Sequence, residues 1–77
     1  MITSGQIKAA RALLGITTTK LADMSGVAFT TIIRIESSDG IPSGQVKTLN
    51  AVQKALEEAG IEFIGTPESG AGVRWRL

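Results

Sequence analysis

Glycine divides the chain at Gly15, Gly26, Gly40 and Gly60, each following a stretch whose apolar residues recur at three- and four-residue intervals. Glycine enters the left-handed region without a Cβ penalty, so it is the usual residue just past a helix end. Four such stops predict four short helices, and a chain of 77 residues has room for one small domain built from them.

Thr3 and Gln6 have the spacing of a capping box, which opens the first helix. Ile7, Ala10, Leu13 and Leu14 then form one apolar face, and Gly15 ends it. In the second helix Thr17 is the expected N-cap, Leu21 and Ala22 face inward, and Gly26 is the stop. The third runs from Phe29 to Ser37 and breaks at Asp39-Gly40. Its β-branched run Thr30-Thr31-Ile32-Ile33 has strand propensity, but Ile32 and Ile35 at i, i+3, followed by Glu36, fit a helix held by tertiary packing. Pro42-Ser43 is expected to open a fourth helix, with Val46, Leu49, Val52 and Leu56 on one face and Gly60 at its end.

Past Gly60 the period changes. Val73-Arg74-Trp75-Arg76-Leu77 alternates apolar and basic residues, as a strand buried on one face does. Ile61-Glu62-Phe63-Ile64 is its expected partner, and residues 65–72, rich in glycine, read as a flexible connection. The chain therefore divides into a helical domain over 1–60 and a β-hairpin over 61–77. A lone two-stranded hairpin is marginal, so this one packs on the helices or pairs with another chain. Ile61, Phe63, Val73, Trp75 and Leu77 are the side chains for a dimer that joins two hairpins into a larger sheet. On the other face Arg74 and Arg76 either touch a polyanion or keep the hairpin soluble, the second being commoner.

Composition narrows the chemistry. With no Cys and no His there are no disulfides, no thiolate or imidazole metal ligands, and no cysteine or histidine-based nucleophile. No carboxylate or lysine pair sits in an apolar setting that would tune it, so catalysis, a metal and a cofactor are all not expected. No apolar run approaches the roughly 18 residues of a membrane span, and the polar start Thr3-Ser4-Gly5-Gln6 is not a cleavable signal. A cytoplasmic protein is expected. Eight Lys and Arg against seven Asp and Glu give a net charge of +1, so any surface for nucleic acid must be local.

Two short helices joined by the tight turn Met24-Ser25-Gly26-Val27-Ala28 make a helix-turn-helix, whose second helix can lie in the major groove. At about 100° per residue from Ile32, Ile35 and Glu36 lie within about 60° of the core, while Thr30 and Arg34 fall at about 160° and 200°. Arg can grip a guanine edge with two bonds, and Thr can meet a thymine methyl or a base edge. A solvated face is the plainer reading of the same pair. Phe29 and Ile33 lie beside them, where large apolar groups either meet thymine methyls or pack on the neighbouring loop or the hairpin. Arg11, flanked by Ala10 and Leu13, and Glu36, near the inward side of its helix, form a structural ion pair that fixes how the two helices cross. Thr17, Thr18, Thr19 and Lys20 cluster at a helix start whose free amides favour phosphate, and Lys47 is a further phosphate candidate.

The residues Ala10-Arg11-Ala12-Leu13-Leu14-Gly15-Ile16-Thr17, Leu21-Ala22, Gly26-Val27 and Thr31-Ile32-Ile33-Arg34-Ile35-Glu36 together resemble the Cro/repressor-type helix-turn-helix of the XRE family. The resemblance spans roughly residues 5–60. It implies a mainly α, lambda-repressor-like bundle of four or five helices that binds double-stranded DNA, commonly as a homodimer on a palindromic operator. Position by position it puts Phe29, Thr30, Ile33 and Arg34 where the family contacts bases, Thr18 where it contacts a phosphate, and Arg11 with Glu36 where it has a structural salt bridge. Three positions depart from the pattern: Thr18 stands where Gln is frequent, Ala28 where Ser or Thr caps the helix, and Phe29 with Ile33 where polar readers are common. The expected function is a transcriptional regulator, a nucleoid-associated repressor in the cytoplasm. The alternative is an interaction module or antitoxin that presents Phe29, Ile33 or the hairpin to a protein partner.

Overall fold

The computed structural model describes residues 2–42 and 44–76. Helices α1 (Ser4–Leu14), α2 (Thr18–Ser25), α3 (Phe29–Ser37) and α4 (Val46–Glu58) precede strands β1 (Ile61–Thr66) and β2 (Ser69–Trp75). This is the mainly α bundle with a C-terminal hairpin that the sequence predicts. Ile7, Leu21, Ile32, Val52, Leu56 and Ile61 are fully buried, so every helix and the first strand contribute to one core. Burying one such side chain is worth about 1.5–3 kcal/mol.

The start of α1 bonds to three distant parts of the fold. Thr3 Oγ1 accepts the Gln6 N–H at 3.0 Å, and Gln6 Oε1 accepts the Thr3 N–H at 2.8 Å, completing the capping box. The Gln6 amide nitrogen then donates to Ile64 O at 3.1 Å and Gly72 O at 2.9 Å, one carbonyl from each strand. A single buried glutamine thus caps a helix and anchors the hairpin on it. Ser4, also buried, donates its hydroxyl to Ile35 O at 2.6 Å and its amide to Gly40 O at 2.9 Å, which ties α1 to the end of α3.

The strands pair antiparallel, with Ile61 opposite Trp75 and Phe63 opposite Val73. Ile61 is buried, and Phe63 and Val73 pack partly buried against the helical core. Glu62 and Arg74 face each other on the outer side, with Arg74 Nη2 at 3.0 Å from Glu62 Oε2. The hydrogen bond from that guanidinium holds the Glu62 carboxyl below its ordinary value against opposing desolvation, helped by the charges of Arg74 and Arg76.

Several expectations are corrected. Residues 65–72 are not a loose connection: β1 runs to Thr66, the turn is Pro67-Glu68, and β2 begins at Ser69. Glycine hides this ladder in the sequence because it removes the alternating side chains. It is nevertheless required there, since Gly65 has a φ of 76° and a Cβ on it would collide with the Gly70 backbone. Helix α4 starts at Val46 rather than at Pro42, which is buried in the crossing from α3; Ser43 lies outside the described residues. Val46 is exposed, because the first residue of a helix overhangs the core that Leu49, Val52 and Leu56 build. Leu13 is exposed as well, lying about 240° around α1 from Ile7, whereas Leu14 returns to the core side. Helix α3, by contrast, spans Phe29–Ser37 as expected, and the Ser37 and Ser38 hydroxyls at its end bond back to the Ile33 and Arg34 carbonyls.

Two outcomes follow. Gln6→Glu keeps an acceptor for Thr3 but turns a carboxylate toward two carbonyls, so urea denaturation should show a loss of about 1–3 kcal/mol although the cap survives. Glu62 should titrate below the ordinary 4.5, and Arg74→Met should raise its midpoint by carboxyl NMR. Because the folded-state value is the lower one, the stabilisation from this pair is complete above the ordinary value and is lost as pH falls through the folded one.

Candidate nucleic-acid interface

Thr17 begins the two-helix unit. Its backbone is extended, with φ −85° and ψ 167°, and its hydroxyl accepts the Lys20 N–H at 3.1 Å. Thr19 and Lys20 are exposed in the first turn of α2, while Thr18 is half-buried. At the other end Ser25 donates its hydroxyl to Leu21 O at 2.8 Å and accepts the Val27 N–H at 3.3 Å. Gly26, at φ 72°, makes the left-handed step between the helices, and its N–H reaches Ala22 O at 2.9 Å. Ala28 precedes α3 with no side-chain cap, so this helix lacks the bond that Thr3 and Thr17 supply to α1 and α2.

Packing, rather than a cap, orients α3. Ile32, Ile35 and Glu36 are buried against the neighbouring helices α1 and α2. Phe29, Thr30, Ile33 and Arg34 are left together on the exposed face, with Phe29 46% and Ile33 43% accessible. Those two apolar side chains are therefore not absorbed by the loop or the hairpin. Arg34 also borders a cleft of about 310 Å³ between α3 and the start of α4, lined by Thr31, Gln45, Thr48 and Leu49. Lys47 is exposed in that first turn of α4. The cleft has no signal in the sequence, because its two walls are separated by the whole crossing from α3 to α4.

Besides Ser4, a second residue of α1 braces α3, this one through its charge. Arg11 Nε lies 2.8 Å from Glu36 Oε2 and Nη2 lies 2.9 Å from Oε1, a two-pronged pair with 24% and 8% side-chain exposure. The remaining guanidinium nitrogen, Nη1, donates to Ile16 O at 3.2 Å in the link before α2. This third contact is invisible to residue spacing. The Glu36 carboxylate raises the Arg11 pKa, its hydrogen bond outweighing the opposing effect of burial. The hairpin residues lie elsewhere: Ile61, Phe63 and Val73 pack on their own helices, Trp75 is 48% exposed, and Leu77 lies outside the described residues.

The model of the helix-turn-helix family matches residues 7–46, more than half of the chain, running from α1 to the first residue of α4. The chain belongs to the Cro/XRE-type helix-turn-helix family. No curated protein matches it. This helix-turn-helix family is one of DNA-binding regulators and is typically non-enzymatic. The hairpin lies beyond the matched residues. Among the described residues, no helix is long and apolar enough to cross a membrane.

Arg11→Met would strand the Glu36 carboxylate, and equilibrium unfolding should show a loss near the lower end of about 3–5 kcal/mol, since Arg11 keeps some contact with water. Arg11→Met combined with Glu36→Leu should recover most of that loss, because an apolar pair carries no desolvation cost.

Proposed function

We propose that this protein is a sequence-specific double-stranded-DNA-binding transcriptional regulator, a repressor that acts as a dimer on a palindromic operator. The observation that carries the reading is the shared exposure of Phe29, Thr30, Ile33 and Arg34 on the second helix of a helix-turn-helix. In this reading α3 lies in the major groove and those four side chains meet base edges. Thr17, Thr18, Thr19 and Lys20 hold the phosphate backbone at the start of α2, where the first amides, apart from that of Lys20 capped by Thr17, have no partner within the helix. The Thr17 hydroxyl, which already accepts one amide, still has its proton to donate. Lys47 adds a phosphate contact from α4. The absence of any acidic residue between Met24 and Ile35 favours approach to a polyanion despite the net charge of only +1.

Residues 1–60 form the binding unit in this proposal, and residues 61–77 join two subunits. With Ile61, Phe63 and Val73 turned toward their own core, the surface offered to a second copy is Trp75 and the open edges of the two-stranded sheet. Two α3 helices would then enter successive major grooves. The site of action is the cytoplasm, on the nucleoid. A second reading, an antitoxin or interaction module, draws on the same exposed Phe29, Ile33 and Trp75.

Selection of the purified protein from a random duplex pool should return a palindrome with half-sites one helical turn, about 34–36 Å, apart. Arg34→Ala should weaken binding to that site by about 1–3 kcal/mol and relax its preference at one base pair. Fluorescence anisotropy across a salt series checks both, since DNA binding weakens steeply with salt. Unchanged affinity and preference in Arg34→Ala would remove Arg34 from the base-reading set, and salt-insensitive capture of a protein instead of DNA would favour the second reading.

A further inference from the structure

The exposed face of α3 carries more apolar surface than a helix serving only solvent or phosphates needs. Phe29 and Ile33 are one turn apart, each nearly half exposed, and sit beside Thr30, whose own side chain ends partly in a methyl group. Only Arg34 on this face has several hydrogen-bond donors. In the major groove the one apolar feature that a base presents is a methyl group on C5 of a pyrimidine. Two-bond readout of adenine takes an amide side chain, and readout of the cytosine amino group is best made by a carboxylate; α3 has neither on this face, and the Thr30 hydroxyl offers a single bond that either base can meet. Its chemistry is suited to methyl groups and to a single guanine.

We propose that Phe29 and Ile33 read two C5-methyl pyrimidines, with Arg34 gripping a guanine beside the second. This rests on the DNA-binding reading above and adds the base class. Four residues of helix advance about 6 Å, less than two base steps of about 3.4 Å each. The two methyl groups therefore belong to neighbouring or next-neighbour base pairs. Thymine supplies such a methyl in ordinary DNA, and 5-methylcytosine supplies the same group in modified DNA.

The test uses the full chain and two random duplex pools, one of ordinary bases and one with 5-methylcytosine replacing cytosine. In each enriched site, every thymine of a half-site is replaced singly by deoxyuridine, and every 5-methylcytosine by cytosine, which removes the methyl group alone. Two positions within three base pairs should each lose roughly three- to fourfold in affinity, the transfer value of one buried carbon. Phe29→Ala should abolish that sensitivity at one position and Ile33→Ala at the other, while Arg34→Ala keeps both. Sensitivity to deoxyuridine identifies thymine as the source; enrichment confined to the methylated pool identifies 5-methylcytosine. Both side chains are half-exposed, so the variants should melt close to wild type, and the methyl deletions on wild-type protein give a result even if a variant fails to fold. An enriched site indifferent to every methyl deletion overturns the proposal and leaves DNA binding intact. No enrichment in either pool overturns the DNA-binding reading and this proposal together.

Discussion

One guanidinium ties three parts of the helix-turn-helix together at the edge of its core. Arg11 bonds both oxygens of Glu36 and the carbonyl of Ile16, so one side chain fixes α3 and the entry to α2 against α1. The pair sits at the edge of the core, where burial makes it costly to break without making it strongly stabilising in itself. Its value is positional. With Ile32, Ile35 and Glu36 held inward, Thr30 and Arg34, at about 160° and 200° from Ile32, are turned outward.

Much of this can be read from residue spacing. The capping box at Thr3 and Gln6, the N-cap at Thr17 and the left-handed glycines at 15 and 26 are local features, and local features leave local patterns. The facing of Arg11 toward Glu36 and the outward group on α3 follow from helical angles. What spacing misses has a common cause. Gln6 looks like a cap because its partner there is three residues away, but its bonds to Ile64 and Gly72 cross the whole chain. The cleft beside Arg34 is likewise assembled from distant segments. The strand residues between Thr66 and Val73 lack an alternating pattern because glycines stand where side chains would alternate. Val46 fits the right period at a helix end, where no core remains to cover it, and Leu13 stands next to the apolar face of α1 in sequence but turns away from it around the helix.

Helix α3 has little intrinsic reason to be a helix. It carries consecutive β-branched residues and lacks a side-chain cap, both of which lower local helicity. Ile32 and Ile35 in the core, the Ser4 bond to Ile35 O and the Arg11 pair hold it from outside. The exposed side chains contribute little to that support. Base preference and fold are therefore carried by different faces of the same nine residues.

The two bonds from Gln6 to the hairpin join residues 58 and 66 positions apart. Contacts of such sequence separation carry the largest loop-closure cost, and they form late relative to helices built from neighbours. During synthesis the helix-turn-helix leaves the ribosome before residues 64–72 do, so α1 begins its life with its amide uncommitted. The helices can collapse on one another in that interval, but the amide nitrogen of Gln6 reaches its carbonyl partners only when the hairpin has emerged. The chain is thus closed in the order in which it is made, and the clasp that receives the later hairpin is already waiting on the earlier helix.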